Sequence, residues 1–345
     1  NYQKLGVSHL FAVSGMHVSL LTGFLIFIFK KLKFKDQLIN IIITSILLFY
    51  MFLTDFTSSI LRSGMLFILM RLNKTHKFEL DNFRVFIIAI CFLIIINPFI
   101  IYDIGFIFSS VISGYLILFS SFISNRKNYF TKSLTISSIA WIVSFPIVIY
   151  NFYEVNLLSV FYNLLFVPFI SFIVFPFSVL TYIFDFLKPI FSFFIYILET
   201  LSILFSKIDS TIIFKRPSLI LVYSYFVIIT FSLWSLKYSS AKPLFILLLV
   251  MIIHYNYNIL FSSSYILMLD VKQGDSFIFH SNNHTFLIDT GGNYYSNSNV
   301  ASKLISVTKS LGIRKIDYVF ITHGDYDNMG ESINLVNNFN VEKVI

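Results

Sequence analysis

His323, Asp325 and Asp327, one imidazole and two carboxylates, fall within five residues of the stretch Ile321-Thr-His-Gly-Asp-Tyr-Asp-Asn-Met-Gly-Glu331. An apolar run, Tyr318-Val-Phe-Ile321, leads straight into it. On a strand-to-helix turn such side chains converge on one point, which is what a divalent cation needs. The competing reading is an ordinary polar turn capping the helix that follows, and spacing alone does not separate the two. A further carboxylate stands in Asp289-Thr-Gly-Gly292, where an earlier apolar run ends on a glycine turn. Alone that is a weak signal. Set beside His323, Asp325 and Asp327, it reads as an outer support for the same site.

Short alternating runs must position these groups. Residues 265–271, 276–279 and 285–289 read as strands, separated by Lys272-Gln-Gly-Asp275 and the turn Asn282-Asn-His284. Residues 299–311 have helical spacing and close on Gly312, a helix-terminating position. A strand over 317–322, a short helix over 331–339 and the start of a strand over 341–345 follow. The pattern is the first half of an α/β domain.

Everything before residue 265 is built for a different solvent. The 345-residue chain is 57% hydrophobic and 19% aromatic, with only 12% charged residues. Runs of about 20 apolar residues recur along it, the length a bilayer requires. This is the composition of a polytopic α-helical membrane protein. About ten spans are expected, over 9–29, 37–54, 58–72, 84–101, 104–124, 133–152, 157–184, 188–205, 218–236 and 243–261. The third is short. The seventh is long and interrupted by Pro168 and Pro176, which leaves open whether 157–184 crosses once. The single Cys91 excludes a disulfide framework and a cysteine metal site. Asn1 follows no Met or cleavable leader, and residue 345 falls inside a strand-like run, so both ends are expected to be cut from a longer protein.

The net charge of +8 divides unevenly: residues 265–345 hold six Lys and Arg against eight Asp and Glu, a net of −2, leaving +10 in the membrane part. Lys30, Lys31, Lys33 and Lys35 follow the first span, and Arg71, Lys74, Lys77 and Arg84 the third. Arg126, Lys127 and Lys132 follow the fifth, Lys188 the seventh, and Lys237 and Lys242 the ninth. Loops 54–57, 102–103 and 153–156 hold none. Cations gather on the cytoplasmic side, so Asn1 and the α/β domain are both expected outside. Lys207, Lys215 and Arg216, in a loop expected outside, run against the pattern. The basicity orients the protein and says little about nucleic acid.

Polar groups inside the spans are few. Gly15, Ser19 and Gly23 form a small-residue stripe that lets another helix come close. His9 and His17, about 80° apart on a helical wheel, would face one aqueous seam on a common helix; the alternative is an interfacial position or a bond to a neighbouring helix. Arg62 either lines a polar path or reaches back to the outer interface about a turn away. Asn97-Pro98 and Asp103-Ile-Gly-Phe106 mark a short turn, which turn chemistry alone accounts for. Pro146, Pro168 and Pro176 free carbonyls, tolerated where they line a cavity or meet protein.

In this order the motifs resemble the ComEC family of competence proteins. His9-Leu-Phe-Ala-Val-Ser-Gly-Met-His-Val-Ser19 and Leu61-Arg-Ser-Gly-Met65 are similar to membrane signatures of that family. So are Asn97-Pro98 with Asp103-Ile-Gly-Phe106 and Ser109, and Asn163-Leu-Leu-Phe-Val-Pro168. Leu269-Asp-Val-Lys-Gln-Gly-Asp275, Leu287-Ile-Asp-Thr-Gly291 and Thr322-His-Gly-Asp-Tyr-Asp327 are similar to the start of its metallo-β-lactamase-like domain. The resemblance covers nearly the whole chain. It implies a competence-type transmembrane channel domain over 1–262 and a partial metallo-β-lactamase-like domain over 265–345.

By that resemblance the protein is a multi-pass channel of the bacterial cell membrane, passing one DNA strand to the cytosol. The N-terminus and C-terminal domain lie on the outer face. Other competence proteins are its partners, and a homo-oligomer is a further expectation. His9, Ser14, Gly15, His17, Arg62, Asp103, Gly105, Asn163 and Pro168 belong to the strand path. An outer metal-dependent nuclease would degrade the other strand. There His323 and Asp325 hold one divalent metal, zinc or manganese, while Asp327 holds the other and takes part in catalysis. Asp289 orients a ligand from behind. Two departures matter. Where the pattern places a His ligand for the second metal this chain has Asn328, and a neutral amide oxygen is the poorer ligand for a transition metal. One ion rather than two, or a harder ion, is therefore expected. The remaining ligands of that fold come from sequence beyond residue 345, so this chain alone is expected to be inactive as a hydrolase. The rival readings are a DNA channel with a degenerate, non-catalytic outer domain, and a membrane-anchored metallo-hydrolase of another substrate. Ten spans far exceed what an anchor needs.

Overall fold

The computed structural model describes residues 2, 4–11, 15–238, 240–271, 274–292 and 300–345. In chain order the helices are α1 (Gly15–Lys31), α2 (Asp36–Leu53), α3 (Ser58–His76), α4 (Asn82–Ile96), α5 (Ile104–Leu118), α6 (Ser120–Ser124) and α7 (Tyr129–Asn151). After β1 (Glu154–Asn156) come α8 (Ser159–Phe169), α9 (Phe175–Ile183) and α10 (Lys188–Ser206). Strand β2 (Thr211–Ile213), which pairs with β1, precedes α11 (Leu219–Lys237), α12 (Lys242–Tyr255) and α13 (Tyr257–Leu260). The chain forms two compact units, Asn1–Ser144 with Asn156–Ser210, and Phe145–Val155 with Thr211–Ile345.

Helices are the form an apolar chain takes in lipid, because they satisfy every backbone N–H and C=O internally. Among the described residues six helical segments are long and apolar enough to cross a membrane, while α4, α5 and α12 are apolar but shorter. Each of the expected spans meets a helix in the same order, with shifted ends. The fifth stops at Leu118 and the tenth at Tyr255, each continuing into a separate short helix. In the first unit Val18, Ile39, Ile43, Leu47, Met51 and Ile60 join α1, α2 and α3 in one buried cluster. Phe24, Phe27, Phe49 and Phe52 on the same helices are exposed, as side chains solvated by lipid are.

Two expectations change. The interrupted seventh span is continuous: α8 and α9 join through a π-helical turn, Ile170–Val174, between Pro168 and Pro176. A widened turn accommodates the carbonyls that proline leaves unpaired. His9 lies in the 3₁₀ turn Ser8–Leu10 and His17 in α1, so the wheel angle does not relate them. His17 is buried, its ring 4.6 Å from that of Phe175.

In the second unit five strands form one sheet, β3 (Tyr265–Met268), β4 (Phe277–Ser281), β5 (His284–Ile288), β6 (Ile316–Phe320) and β7 (Val341–Val344), paired in sequence order. The first three are antiparallel and the last three parallel. The two parallel crossovers run through α14 (Val300–Ser310) and through α15 (Tyr326–Met329) with α16 (Ser332–Asn338). Ile278, Leu287 and Val319 are fully buried beside Leu304 of α14 and Leu335 of α16. As sequence spacing predicts, α14 closes on Gly312, with φ +73°. The turn after α14 is tied back to the helix ends of the same unit. Asn258 Nδ2 donates to the Leu311 carbonyl at 2.8 Å, and Arg314 stacks 3.5 Å from the Tyr255 ring centroid.

His280 of β4 is buried, shares a 2.9 Å hydrogen bond with Thr285 Oγ1, and stacks on Tyr265. Burial first, then the charge of Lys215, hold its imidazole below the usual value, with Asp317 opposing. The folded sheet therefore favours the neutral ring. Its contribution is complete above about pH 6.5 and is lost as pH falls through the lowered folded value, because the unfolded chain then binds the extra proton. Hydrogen exchange of β4 and β5 amides, corrected for intrinsic rates, should speed up between about pH 7 and pH 5. His280→Gln should flatten that dependence.

Candidate metal centre

Strands β5 and β6 are parallel neighbours, so their carboxyl ends open at the same edge of the sheet. Ligands of open parallel sheets bind at such an edge. Asp289 follows β5 directly and its N–H donates to the Phe320 carbonyl at 2.8 Å, extending the ladder by one residue. Its backbone then turns left-handed, φ +55°, a conformation Asp tolerates better than most residues. The buried carboxylate is thereby brought to the strand beside it. It accepts from Thr322 N–H at 2.8 Å and from Thr322 Oγ1 at 2.7 Å.

That relay sets the state of His323. Thr322 donates its only hydroxyl proton to Asp289, so its oxygen accepts from His323 Nδ1–H at 2.9 Å. The proton therefore sits on Nδ1, and Nε2 keeps a lone pair. Nε2 lies 3.4 Å from Asp325 Oδ2. His323, Asp325 and Asp327 are exposed, and ligand atoms from all three lie within 4.8 Å of one another. One imidazole nitrogen and two carboxylates at this spacing fit a divalent ion.

Asn328 is buried and presents its amide N–H₂ to this cluster. Nδ2 donates to His323 Nε2 at 2.9 Å and to Asp327 Oδ1 at 3.2 Å. It bridges an imidazole and a carboxylate as a neutral donor. To offer its oxygen to a metal the amide would have to turn over, at the expense of both bonds.

Asp327 and Asn328 ride on α15, a single turn that the sequence pattern did not reveal. The loop after β5 holds it: Thr290 N–H and Oγ1 both donate to the Asn328 carbonyl, at 2.7 and 3.0 Å. Two glycines make room. A Cβ on Gly274 (φ +85°) would fall 1.8 Å from the Asp327 carbonyl oxygen, and one on Gly292 would fall 2.1 Å from that of Tyr326. Sequence reading took these glycines for turn residues and passed over Thr290 and Thr322. The signal available was a Thr directly before the His of a metal-type motif.

The expected membrane residues fall elsewhere, in the first unit. Arg62 is buried and donates from Nε to Ser109 Oγ at 2.9 Å, so it turns to a neighbouring helix and not to the interface. Asp103 caps α5, accepting from Phe106 N–H at 2.7 Å, with Gly105 packed close beside it. Asn163 Oδ1 is buried without a hydrogen-bond partner among the described residues, one turn before Pro168 in α8. Gly15 begins α1, His9 is exposed, and Ser14 lies outside the described residues.

Fold and cluster together define a multi-pass membrane protein joined to a metallo-β-lactamase-type α/β domain. Residues 1–238 match the competence protein family and residues 269–345 the metallo-beta-lactamase superfamily. The chain belongs to the competence protein family. It is 29% identical over 370 aligned residues to ComE operon protein 3 of Bacillus subtilis (strain 168), an alignment covering 100% of this chain and 48% of that one. It is 31% identical over 183 residues to the uncharacterized protein MG316 of Mycoplasma genitalium, covering 51% of this chain and 47% of the other. The chain thus spans about half the length of the curated relatives it matches. No solved structure matches it.

Thr322→Val keeps the shape and backbone bond but breaks the relay. We expect a stability change of about 1 kcal/mol and a fall in zinc or manganese affinity of about 10–100-fold, read by titration calorimetry on the detergent-solubilised protein. Gly274→Ala, which must displace the Asp327 backbone, should lower metal affinity at least as far.

Proposed function

We infer that this chain is the channel and outer-domain portion of a DNA-uptake protein of natural transformation. It carries a single strand across the bacterial cell membrane and presents a metal-dependent nuclease-type site outside. The observation that carries the reading is the joining, in one chain, of competence-family helices to the His323–Asp325–Asp327 cluster at a parallel sheet edge. Residues 1–262 would form the channel domain and 265–345 part of the outer one. Duplex DNA, the lipid bilayer and other competence proteins are the partners this reading requires, and a homo-oligomer is compatible with it.

An outer position for the N-terminus and the α/β domain rests on the alternation of loop cations. Two features support it. The continuous run from α8 to α9 favours a single crossing by the seventh segment. Two of the three cations that broke the pattern are engaged by aromatic rings, Lys215 over Tyr257 and Arg216 over Tyr150, each 4.5 Å from the centroid. Cations held this way do not act as free cytoplasmic anchors.

At the outer site His323 Nε2, Asp325 and Asp327 would hold the ion, with Asp289 and Thr322 fixing the imidazole. A divalent ion held there supplies Lewis-acid polarisation of a phosphodiester and eases deprotonation of water. The chain's own part is to turn His323 so that Nε2 faces the two carboxylates, and to hold Asp325 and Asp327 open to solvent. Asn328 is the observation that favours the rival, a channel whose outer domain has lost catalysis, since it holds the ligand atoms with a neutral amide.

The experiment is metal binding and DNA cleavage by the full-length protein with Asn328, with Asn328→His and with Asp327→Ala. Asn328→His should add a second ion and raise cleavage at least about tenfold, and Asp327→Ala should abolish cleavage. Metal binding and cutting left unchanged by Asn328→His would sink the claim about Asn328. Full DNA uptake by Asp327→Ala, with no cleavage by any form, would establish the non-catalytic domain. An unaltered uptake after changing His9 and His17 together would favour the anchored hydrolase.

A further inference from the structure

Among the described residues the guanidinium of Arg62 is in no ion pair. Its side chain is only 6% exposed, in the second turn of α3. Its Nε donates to a neutral hydroxyl, Ser109 Oγ of α5. Every Asp and Glu of the sequence belongs to the described residues, and none of the ion pairs among them includes Arg62. A buried cation without a partner is costly, and proteins ordinarily remove the cost with a resident carboxylate.

The surroundings add positive potential. A Cβ on Gly105, the second residue of α5, would lie 3.7 Å from Ser58 Oγ at the start of α3. Four residues further along both helices Arg62 meets Ser109. The two helices therefore run parallel with their amino ends side by side, and the positive ends of both dipoles fall near the guanidinium. Asp103 lies a turn nearer those ends and its carboxylate caps α5, 2.7 Å from Phe106 N. Among the described residues, Gly15 at the start of α1 also approaches the guanidinium. A Cβ on Gly15 would sit 3.4 Å from Arg62 Nη2.

We propose that Arg62 is an oxyanion site for a phosphodiester group, that of the translocating strand; this rests on the channel reading above. The planar fork of Arg matches two phosphate oxygens at once. A single such contact binds weakly enough to release, as conduction requires. The site is enclosed by α1, α3 and α5 and not turned to the lipid face, which favours a strand phosphate over a lipid headgroup.

The test uses full-length protein in phosphatidylcholine vesicles with Arg62, Arg62→Lys or Arg62→Gln. The probes are a short single-stranded oligothymidylate with phosphodiester linkages and the same oligomer with uncharged methylphosphonate linkages. Arg62→Gln should weaken phosphodiester binding about tenfold and lower the slope of log K against log salt by about 0.7, leaving methylphosphonate binding unchanged. Equal loss on both probes, or no loss, overturns the site. Should Arg62→Gln not fold, Arg62→Lys decides: it should keep the salt slope and weaken binding a few-fold, and a lowered slope overturns the site. Competition by added phosphatidylglycerol in the wild type but not in Arg62→Gln would give the site to a lipid headgroup and overturn its assignment to the strand. A wild type that binds neither probe refutes the channel reading itself, whereas normal binding by both wild type and Arg62→Gln refutes this site alone.

Discussion

The carboxylate of Asp289 is the constraint on which the candidate metal site depends. It closes the gap between two parallel strand ends, accepting both the N–H and the hydroxyl of Thr322. Because that hydroxyl has one proton to give, the bond also decides which nitrogen of His323 is protonated. A single buried acid thus sets backbone geometry, side-chain orientation and tautomer together. Asp289 occupies a left-handed backbone to do so, and local strain of this kind is retained where the surroundings hold it in place.

The rest of the site is built around α15. Its four residues are too few to persist alone, and they are held from outside by Thr290 and by two glycines that let backbone meet backbone. Asp327 and Asn328 therefore stand on a turn whose position belongs to its neighbours. Asn328 is the residue with two readings. Its amide joins His323 and Asp327 as a donor, a role that a positive ion would take over and that a second metal ligand could not share.

In the membrane unit the dominant constraint is the absence of water. Prolines are absorbed into a π-helical turn, carboxylates such as Asp103 cap helix ends, and outward faces carry phenylalanine. Against that background the exception is Arg62, buried beside a hydroxyl and in no ion pair among the described residues. In the other unit Lys215 and Arg216 lie over tyrosine rings, a circumstance the loop-charge pattern does not count.

Membrane character, the order of the helices, the strand and helix succession after residue 265 and the chemistry of the donor set were all determined by the sequence alone. These are local properties: a run of apolar residues, an alternation, a His two residues from an Asp. What only the tertiary structure decided involves residues far apart in the chain. The Asp289–Thr322 bond spans 33 positions and the Arg62–Ser109 bond 47. The unprotonated nitrogen of His323 and the inward face of the Asn328 amide follow from the first of these contacts and from the turn it braces. No spacing rule reaches across such distances. The cluster at 322–331 could be recognised as a candidate cation site from its residues. Which atoms converge there was decided by where two parallel strands end.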